Sequence, residues 1–259
     1  MPVDLPALVA DLEAETDDLL ALLAPLGPPD WDRPTPAEGW LIRDQVSHLA
    51  FFDDAAVQAL VDPDGFRTAA AEVMGRGPDF PDQVAADART LDATAVHRWF
   101  VGAREALVAS FVDADPSARL PWFGPDMSSA SSVTARLMET WAHGQDVADA
   151  LGVERTPTAR LRHIAHLGVA TRAHSYRLRR RDVPASPVRV EVDAPDGTLW
   201  AWGEPDAGER VTGPALDLCL VVTQRRHHED TALVATEGAR DWLGIAQAFA
   251  GAPGRGRRR

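Results

Sequence analysis

Histidine and carboxylate residues at helical spacing are the strongest chemical signal in the sequence. In METWAHGQDVADALG, Glu139 and His143 lie four residues apart, so on a helix both side chains project from one face and could bind the same ion. Asp146 follows three residues later. In RDQVSHLAFFDDAA, His48 follows Asp44 by four residues. Facing helices of a bundle could bring His48 to Glu139 and His143, and we therefore predict a metal site in a bundle core.

Two other interpretations of these residues stay open from spacing alone. Glu139 and His143 could form an exposed pair that stabilises its helix by only about 0.2–0.5 kcal/mol, although the apolar residues around them indicate a position beside the buried face. Asp44 and His48 could instead be the chelating pair. Asp44, however, lies in the first turn of its predicted helix, where the helix dipole explains a carboxylate equally well.

Composition excludes several other kinds of chemistry. Cys219 is the only cysteine, so the chain forms no internal disulfide and no zinc or redox motif with two cysteines. All 26 basic residues are arginine, which removes mechanisms that need a lysine. The motifs GxSxG and GxGxxG and the P-loop are absent, so nothing supports a serine hydrolase or a nucleotide-binding loop. The formal net charge of −13 argues against nucleic acid and anionic membranes as partners.

The N-terminal region and the hydropathy pattern bear on the compartment. The first residues are acidic and lack the basic and then apolar order of a signal peptide. No apolar run approaches the roughly 18 residues that a membrane span needs. These features predict a cytoplasmic protein that does not associate with membranes. The sequence leaves the choice between a monomer and a homodimer open.

Hydrophobic periodicity predicts an α+β fold in two domains. We expect a four-helix bundle with one further helix over 1–183, a small α+β domain over 184–252 and a flexible, Arg-rich tail over 253–259. The tail could simply fray, or it could serve as a phosphate-binding arm. Residues 66–81 are mixed and end in a loop. The helices are predicted over 4–25, 41–61, 83–113, 131–151 and 157–181, followed by a hairpin that turns at PDG, a strand, a helix and a terminal helix.

Three segments resemble the DinB-like, mycothiol-dependent maleylpyruvate isomerase family. GWLIRDQVSHLAFFDDA resembles its first helical signature, and ETWAHGQDVADALG resembles its second. VTGPALDLCLVVTQRR is similar to the C-terminal domain of the same enzymes. The resemblance implies a DinB-like bundle, a small substrate of anionic or electrophilic character, and mycothiol as the low-molecular-weight thiol.

The resemblance also implies roles for individual residues. It implies that His48, Glu139 and His143 bind a divalent metal, usually zinc, and that Asp146 supports the site from beside it. An arginine of the C-terminal domain would hold the substrate, and we assign this role to Arg225 rather than to the arginine that follows it. The RRHHEDT run departs from the family pattern, and both arginines could instead be solvated charges at a helix end.

The implied ligand set favours catalysis. Two imidazoles and a carboxylate leave a zinc ion with an open coordination position, and nickel, manganese or iron could bind the same donors. We predict a metal-dependent isomerase or thiol S-transferase, in which a thiol adds to an electrophilic carbon of a small substrate. Two alternatives are a metal-binding regulatory protein without turnover and a hydrolase that uses zinc-bound hydroxide, with Asp146 as its base.

Some remaining residues have an ordinary structural explanation. His163 and His166 lie three residues apart, with His174 later, and a second metal site is conceivable. Polar positions of a packed helix explain the same pattern. Cys219 lies in an apolar run, which predicts a buried and inert thiol.

Overall fold

The computed structural model describes residues 4–257, in which the chain divides into two compact units, one ending at Arg155 and the other beginning at Thr156. The fold is α+β, as predicted. Over the described residues, no helix combines the length and the apolar character needed to span a bilayer. The helices of the first unit are α1 (Leu5–Leu23), α2 (Ile42–Val61), α3 (Pro63–Met74), α4 (Phe80–Asp87), α5 (Ala93–Phe111) and α6 (Ser129–Leu151).

Four of these helices, α1, α2, α5 and α6, form a bundle. α2 packs against α5 and α6, and α1 packs against α6 and α5. Val46 and Leu49 of α2 and Val96 and Phe100 of α5 are fully buried in its core, because they recur at the helical period on facing sides. A short hairpin of β1 (Arg119–Leu120) and β2 (Met127–Ser128) precedes α6.

Side-chain caps mark where α2 and α5 begin, and a glycine marks where α6 ends. The carboxylate of Asp92 accepts a hydrogen bond from the backbone N–H of Ala95 at 2.8 Å at the start of α5. Asp44 accepts one from the backbone N–H of Leu41 at 2.7 Å at the start of α2. Gly152 ends α6 with a φ of +68°, a left-handed conformation that glycine adopts without strain. The helices predicted over 41–61 and 131–151 are therefore confirmed.

The single helix predicted over 83–113 is wrong, because the structure breaks it. α4 ends at Asp87, residues 88–90 form a 3₁₀ turn, and α5 begins only after Asp92. In this turn Arg89 pairs with Asp44 at 2.6 Å, a contact across 45 residues that local periodicity cannot reveal. The mixed stretch 66–81 largely forms α3, whose first turn is capped by Asp62.

The second unit is built on a four-stranded sheet with the order β4–β3–β5–β6. β3 pairs with β4 as the predicted antiparallel hairpin, whereas β3 and β5 are parallel and β5 and β6 antiparallel. The strands are β3 (Val188–Asp193), β4 (Leu199–Trp202), β5 (Glu209–Pro214) and β6 (Val234–Ala235), and the helices are α7 (Leu161–Ala170), α8 (Arg172–Leu178), α9 (Ala215–Val222) and α10 (Glu237–Leu243).

α7 and α8 belong to the second unit, whereas the sequence analysis counted the region through residue 183 with the bundle. The reason is the packing of α7 against α9, where a Cβ added at Gly168 would lie only 2.6 Å from Val222. The helix predicted over 157–181 is also divided. The Thr171 hydroxyl donates back to the Leu167 carbonyl at 2.9 Å, and the chain changes from α7 to α8 at this residue.

One buried guanidinium links all four bundle helices. Arg104 of α5 donates from Nε to Asp53 of α2 at 2.8 Å and from Nη2 to Thr140 of α6 at 2.9 Å. Its Nη1 donates to the hydroxyl of Thr16 in α1. Arg136 of α6 lies on the other side of Asp53, with 3.8 Å between Nη1 and Oδ1. The Asp53 carboxylate is therefore the shared counter-charge of two buried arginines.

This network predicts a large stability difference between two neighbouring aspartates. Asp53→Ala leaves two buried guanidinium groups without their counter-charge, and we expect the free energy of unfolding to fall by about 3–5 kcal/mol. The matched control, Asp54→Ala, removes an exposed carboxylate that accepts from Trp99, and we expect a loss of at most about 1 kcal/mol. Urea unfolding followed by circular dichroism measures both, and equal losses would contradict the role given to Asp53.

Candidate metal centre

The structure brings together the three residues predicted as metal ligands. His48 lies on α2, and Glu139 and His143 lie one turn apart on α6. One potential ligand atom from each residue lies within 4.8 Å of the other two. The Glu139 Oε2 atom is 3.1 Å from His143 Nε2 and 3.8 Å from His48 Nε2. We name these three residues the His–Glu–His cluster; their binding of a metal stays a prediction.

Burial and charge set the protonation of the cluster. Burial, followed by the positive charge of His143, lowers the pKa of His48 to about 3, although Glu139 opposes the shift. Burial alone raises the pKa of Glu139, but its interactions with His143 and His48 and the charge of Arg136 outweigh it and hold the pKa well below the ordinary value. At neutral pH His48 is thus neutral and Glu139 ionised, which are the forms that bind metals.

A chain of hydrogen bonds fixes the orientation of His143. The Thr35 hydroxyl donates to the Trp40 carbonyl at 3.0 Å, so its oxygen must accept the bond from Gln45 Nε2 at 2.8 Å. This orients the Gln45 amide with its Oε1 atom 2.5 Å from His143 Nδ1. Because an amide oxygen only accepts, we assign the proton to Nδ1. The Nε2 atom of His143 therefore faces Glu139.

The donor set of the cluster suits a divalent cation. With the proton on Nδ1, the Nε2 lone pair of His143 faces the Oε2 atom of Glu139 at 3.1 Å. Two acceptors at this distance need a positive charge between them, and either a second proton on His143 or a metal ion supplies it. Nitrogen and carboxylate oxygen donors are typical of zinc sites.

Aromatic residues form one side of the cluster. The Trp40 ring stacks on His143 with 5.8 Å between centroids and an interplanar angle of 23°, and Phe52 lies 4.6 Å from the His48 ring. Trp40 is held by a hydrogen bond from its Nε1 to Asp82 at 2.7 Å. The Glu139 side chain remains 17% exposed. The cluster is therefore packed against aromatic rings, while part of the Glu139 side chain remains accessible to solvent.

Asp44 and Asp146 lie outside the cluster. Asp44 caps α2 and pairs with Arg89, so both of its carboxylate oxygens are used by other groups and it does not chelate with His48. Asp146 is fully buried on α6, three residues after His143. Its supporting role stays a prediction.

The remaining candidate residues lie in the second unit. The Nη1 atom of Arg225 donates to the Thr223 carbonyl at 2.8 Å just after α9, and its role toward a substrate stays a prediction. Over the described residues, the His–Glu–His cluster is the one group of three or more potential ligands close enough to share an ion, and His163 and His166 belong to no such group. Cys219 is buried, and burial raises the pKa of its thiol, as expected for an inert cysteine.

The sequence analysis missed Gln45, which has a direct effect on the cluster. It is fully buried on α2 and contacts His143 on α6, a residue 98 positions away. A signal was present, because Gln45 precedes His48 by three residues and therefore lies on the same face of the helix. A buried amide at that position needs a polar partner, and the second histidine provides it.

The orientation of His143 by Gln45 gives a test at the level of metal affinity. Gln45→Ala removes the acceptor of the Nδ1 proton, and we expect metal affinity to fall by about 10- to 100-fold. Gln45→Glu keeps an acceptor at this position and should retain most of the affinity. Competition with a chromophoric chelator measures the dissociation constants, and Gln58→Ala on the same helix is the matched control. An unchanged affinity in Gln45→Ala would contradict the orienting role.

Two family models match separate regions of the chain, and two relatives match nearly all of it. Residues 12–148 match the family model described as mycothiol maleylpyruvate isomerase N-terminal domain. Residues 184–236 match a second model, described as wyosine base formation. Two relatives from strains of Mycobacterium tuberculosis, the uncharacterized proteins MT0041 and Rv0036c, are each 48% identical over 251 residues, which cover 96% of this chain and 97% of theirs.

Two solved structures share the fold. They are crystal structures of the mycothiol-dependent maleylpyruvate isomerase and of a histidine-to-alanine mutant of it, and both give a TM-score of 0.61 over 92% of this chain and 94% of theirs. The sequence identities of 15% and 14% are low, so this likeness concerns the fold alone. The family model, in contrast, matches more than half of the sequence, including the three clustered residues. The chain therefore belongs to the mycothiol maleylpyruvate isomerase N-terminal domain family.

Proposed function

We propose that this protein is a metal-dependent enzyme that uses a low-molecular-weight thiol, with mycothiol as the first candidate, to isomerise or conjugate a small electrophilic substrate. The observation that carries the proposal is the His–Glu–His cluster, in which two imidazoles and a carboxylate converge beside an aromatic wall. Family membership supports the choice of thiol. Zinc is the first candidate for the metal, and nickel, manganese and iron suit the same donors.

The residues of the first unit have separable roles in this proposal. His48, Glu139 and His143 would hold the ion, and Gln45 would keep the Nε2 atom of His143 directed at it. When bound, a divalent ion supplies Lewis acidity, which lowers the pKa of a thiol or polarises a substrate oxygen. The ring of Trp40, which packs on both histidines, would limit access of water to the cluster. Ligands would enter on the side of Glu139, whose side chain is partly exposed.

The thiol chemistry balances without an oxidant or a reductant. A thiolate adds to one carbon of a conjugated double bond, and the π electrons move onto the conjugated carbonyl group. The former double bond is then single and can rotate. Expulsion of the same thiolate restores the double bond in the other geometry, so the thiol is regenerated. If the enolate formed by the addition is protonated on carbon instead of expelling the thiolate, the product is the S-conjugate.

Two other residues also belong to the proposal. Asp146, which is buried three residues after His143, is proposed to support the metal site from beside it without binding the ion. Arg225 is proposed to bind an anionic group of the substrate, because a guanidinium matches a carboxylate with two parallel hydrogen bonds. We also propose a cytoplasmic location, where a thiol co-substrate stays reduced.

Metal content tests the site directly. Protein purified without chelators should contain about one divalent ion per chain, measured by inductively coupled plasma mass spectrometry. His143→Ala and Glu139→Gln each remove a donor, and we expect both variants to lose most of the metal. His97→Ala, which changes a histidine of the same bundle that contacts Trp31, is the matched control and should keep the native content. Native metal content in His143→Ala would exclude the proposed site.

Activity tests the reaction separately. We expect the metal-loaded protein to isomerise maleylpyruvate, or to consume another conjugated electrophile, only when mycothiol is added, and His143→Ala should abolish this activity. Product analysis distinguishes isomerisation from S-conjugation by the presence of sulfur in the product. Hydrolysis of a substrate without any thiol would instead support a metal hydrolase. Metal binding without turnover of maleylpyruvate or any other electrophile tested would support a non-catalytic metal-binding protein.

A further inference from the structure

The Arg-rich segment near the C-terminus is tied to the body of the second unit. The Gln247 side chain accepts a hydrogen bond from the backbone N–H of Gly254 at 2.9 Å, and Gln224 accepts one from that of Gly256 at 3.1 Å. Arg179 donates to the Gly254 carbonyl at 3.1 Å. These bonds hold a stretch for which the sequence analysis expected a flexible tail; Arg258 and Arg259 lie outside the described residues.

The residue that makes one of these anchors has an unusual backbone. Gln224 has a φ of +61°, in the left-handed region that residues other than glycine rarely adopt. Its amide nitrogen also donates to the Ala246 carbonyl at 3.0 Å. A strained backbone of this kind persists when the surrounding structure over-determines it. Here the hydrogen bonds of the Gln224 side chain join the end of α9 to Ala246 and to Gly256 of the C-terminal segment.

This anchored segment forms one wall of a cavity of about 490 Å³. All of the lining residues belong to the second unit. Within the described chain, the lining contains no aspartate and no glutamate, although the sequence has 39 acidic residues and a net charge of −13. The charged and imidazole side chains of the lining, which we name the arginine cavity, are Arg179, Arg226, His227, His228, Arg255 and Arg257.

The polar groups around the arginine cavity converge from different elements. Arg179 follows α8, and burial, followed by the nearby charge of Arg181, lowers its pKa. The rings of His227 and His228 lie 4.5 Å apart, and the buried Nδ1 atom of His228 has no hydrogen-bond partner within the described chain. Glu229 approaches His227 at 3.9 Å but does not line the cavity.

We propose that the arginine cavity binds a phosphorylated small molecule. A carboxylate is saturated by one guanidinium fork, whereas a phosphate monoester carries close to two charges and three strong acceptor oxygens that suit several donors at once. The volume lies within the range of small-molecule pockets, roughly 300–1,000 Å³. A long nucleic acid would instead need an extended basic surface, which conflicts with the acidic chain as a whole.

Calorimetric titration of the full chain with inorganic pyrophosphate tests this proposal. We expect saturable binding at a fixed ionic strength set with sodium chloride, and an affinity for citrate that is about 10-fold weaker. Binding should persist in His143→Ala, because that variant removes only the proposed metal site of the first unit. Binding that disappears in His143→Ala would show coordination to a metal and would overturn the arginine cavity as the site.

Substitutions within the cavity complete the test. Arg226→Gln and Arg255→Gln each remove a guanidinium donor, and each should weaken pyrophosphate binding by about 10-fold. Arg210→Gln, which changes an arginine of the same unit paired with Glu191 and not part of the lining, should leave affinity unchanged. Thermal unfolding confirms that the variants are folded. The proposal would be overturned by undetectable pyrophosphate binding or by an equal affinity for citrate. Equal effects of all three variants on affinity would also overturn it, as would tighter, arginine-dependent binding of a single-stranded RNA.

Discussion

The buried guanidinium of Arg104 is the interaction on which the geometry of the first unit depends. It hydrogen-bonds to one residue from each of the other three bundle helices, Thr16, Asp53 and Thr140. Removing a guanidinium from water is costly, and the cost is offset only when its donors are satisfied. The complete set of bonds therefore selects one register of the helices. Thr140 is adjacent to Glu139 in the chain, so the register that satisfies Arg104 also determines where the side chains of the His–Glu–His cluster meet.

The His–Glu–His cluster shows a second level of organisation, because its two histidines are held differently. His143 is oriented through Gln45, Thr35 and the Trp40 backbone, so its tautomer follows from a chain of donors and acceptors. The Nδ1 atom of His48 is buried without a hydrogen-bond partner in the part of the chain that the structure describes. His48 packs against aromatic rings and faces Glu139 through its Nε2 atom. The Nδ1 side of His143 is thus fixed by a hydrogen bond, whereas that of His48 is fixed by packing.

The sequence allowed the prediction of features that depend on local spacing. The helices α1, α2 and α6 and the PDG hairpin follow from periodicity over short stretches. The grouping of His48 with Glu139 and His143 was predicted from helical spacing together with the family resemblance of two segments. Features that depend on distant partners were missed. The break before α5 reflects the pairing of Arg89 with Asp44, and Gln45 acquires its role only when α2 meets α6. The placement of α7 in the second unit likewise depends on a distant partner, α9, since the apolar face of α7 could equally pack in a bundle.

The end of the first unit at Arg155 has a consequence for how such proteins can diversify. That boundary follows the whole His–Glu–His cluster, and it also follows Gln45, Thr35 and Trp40. The matched family regions, 12–148 and 184–236, respect the same separation. Gene fusion could therefore exchange the part of the protein that follows Arg155, while the His–Glu–His cluster and the hydrogen bonds that orient it stay unchanged.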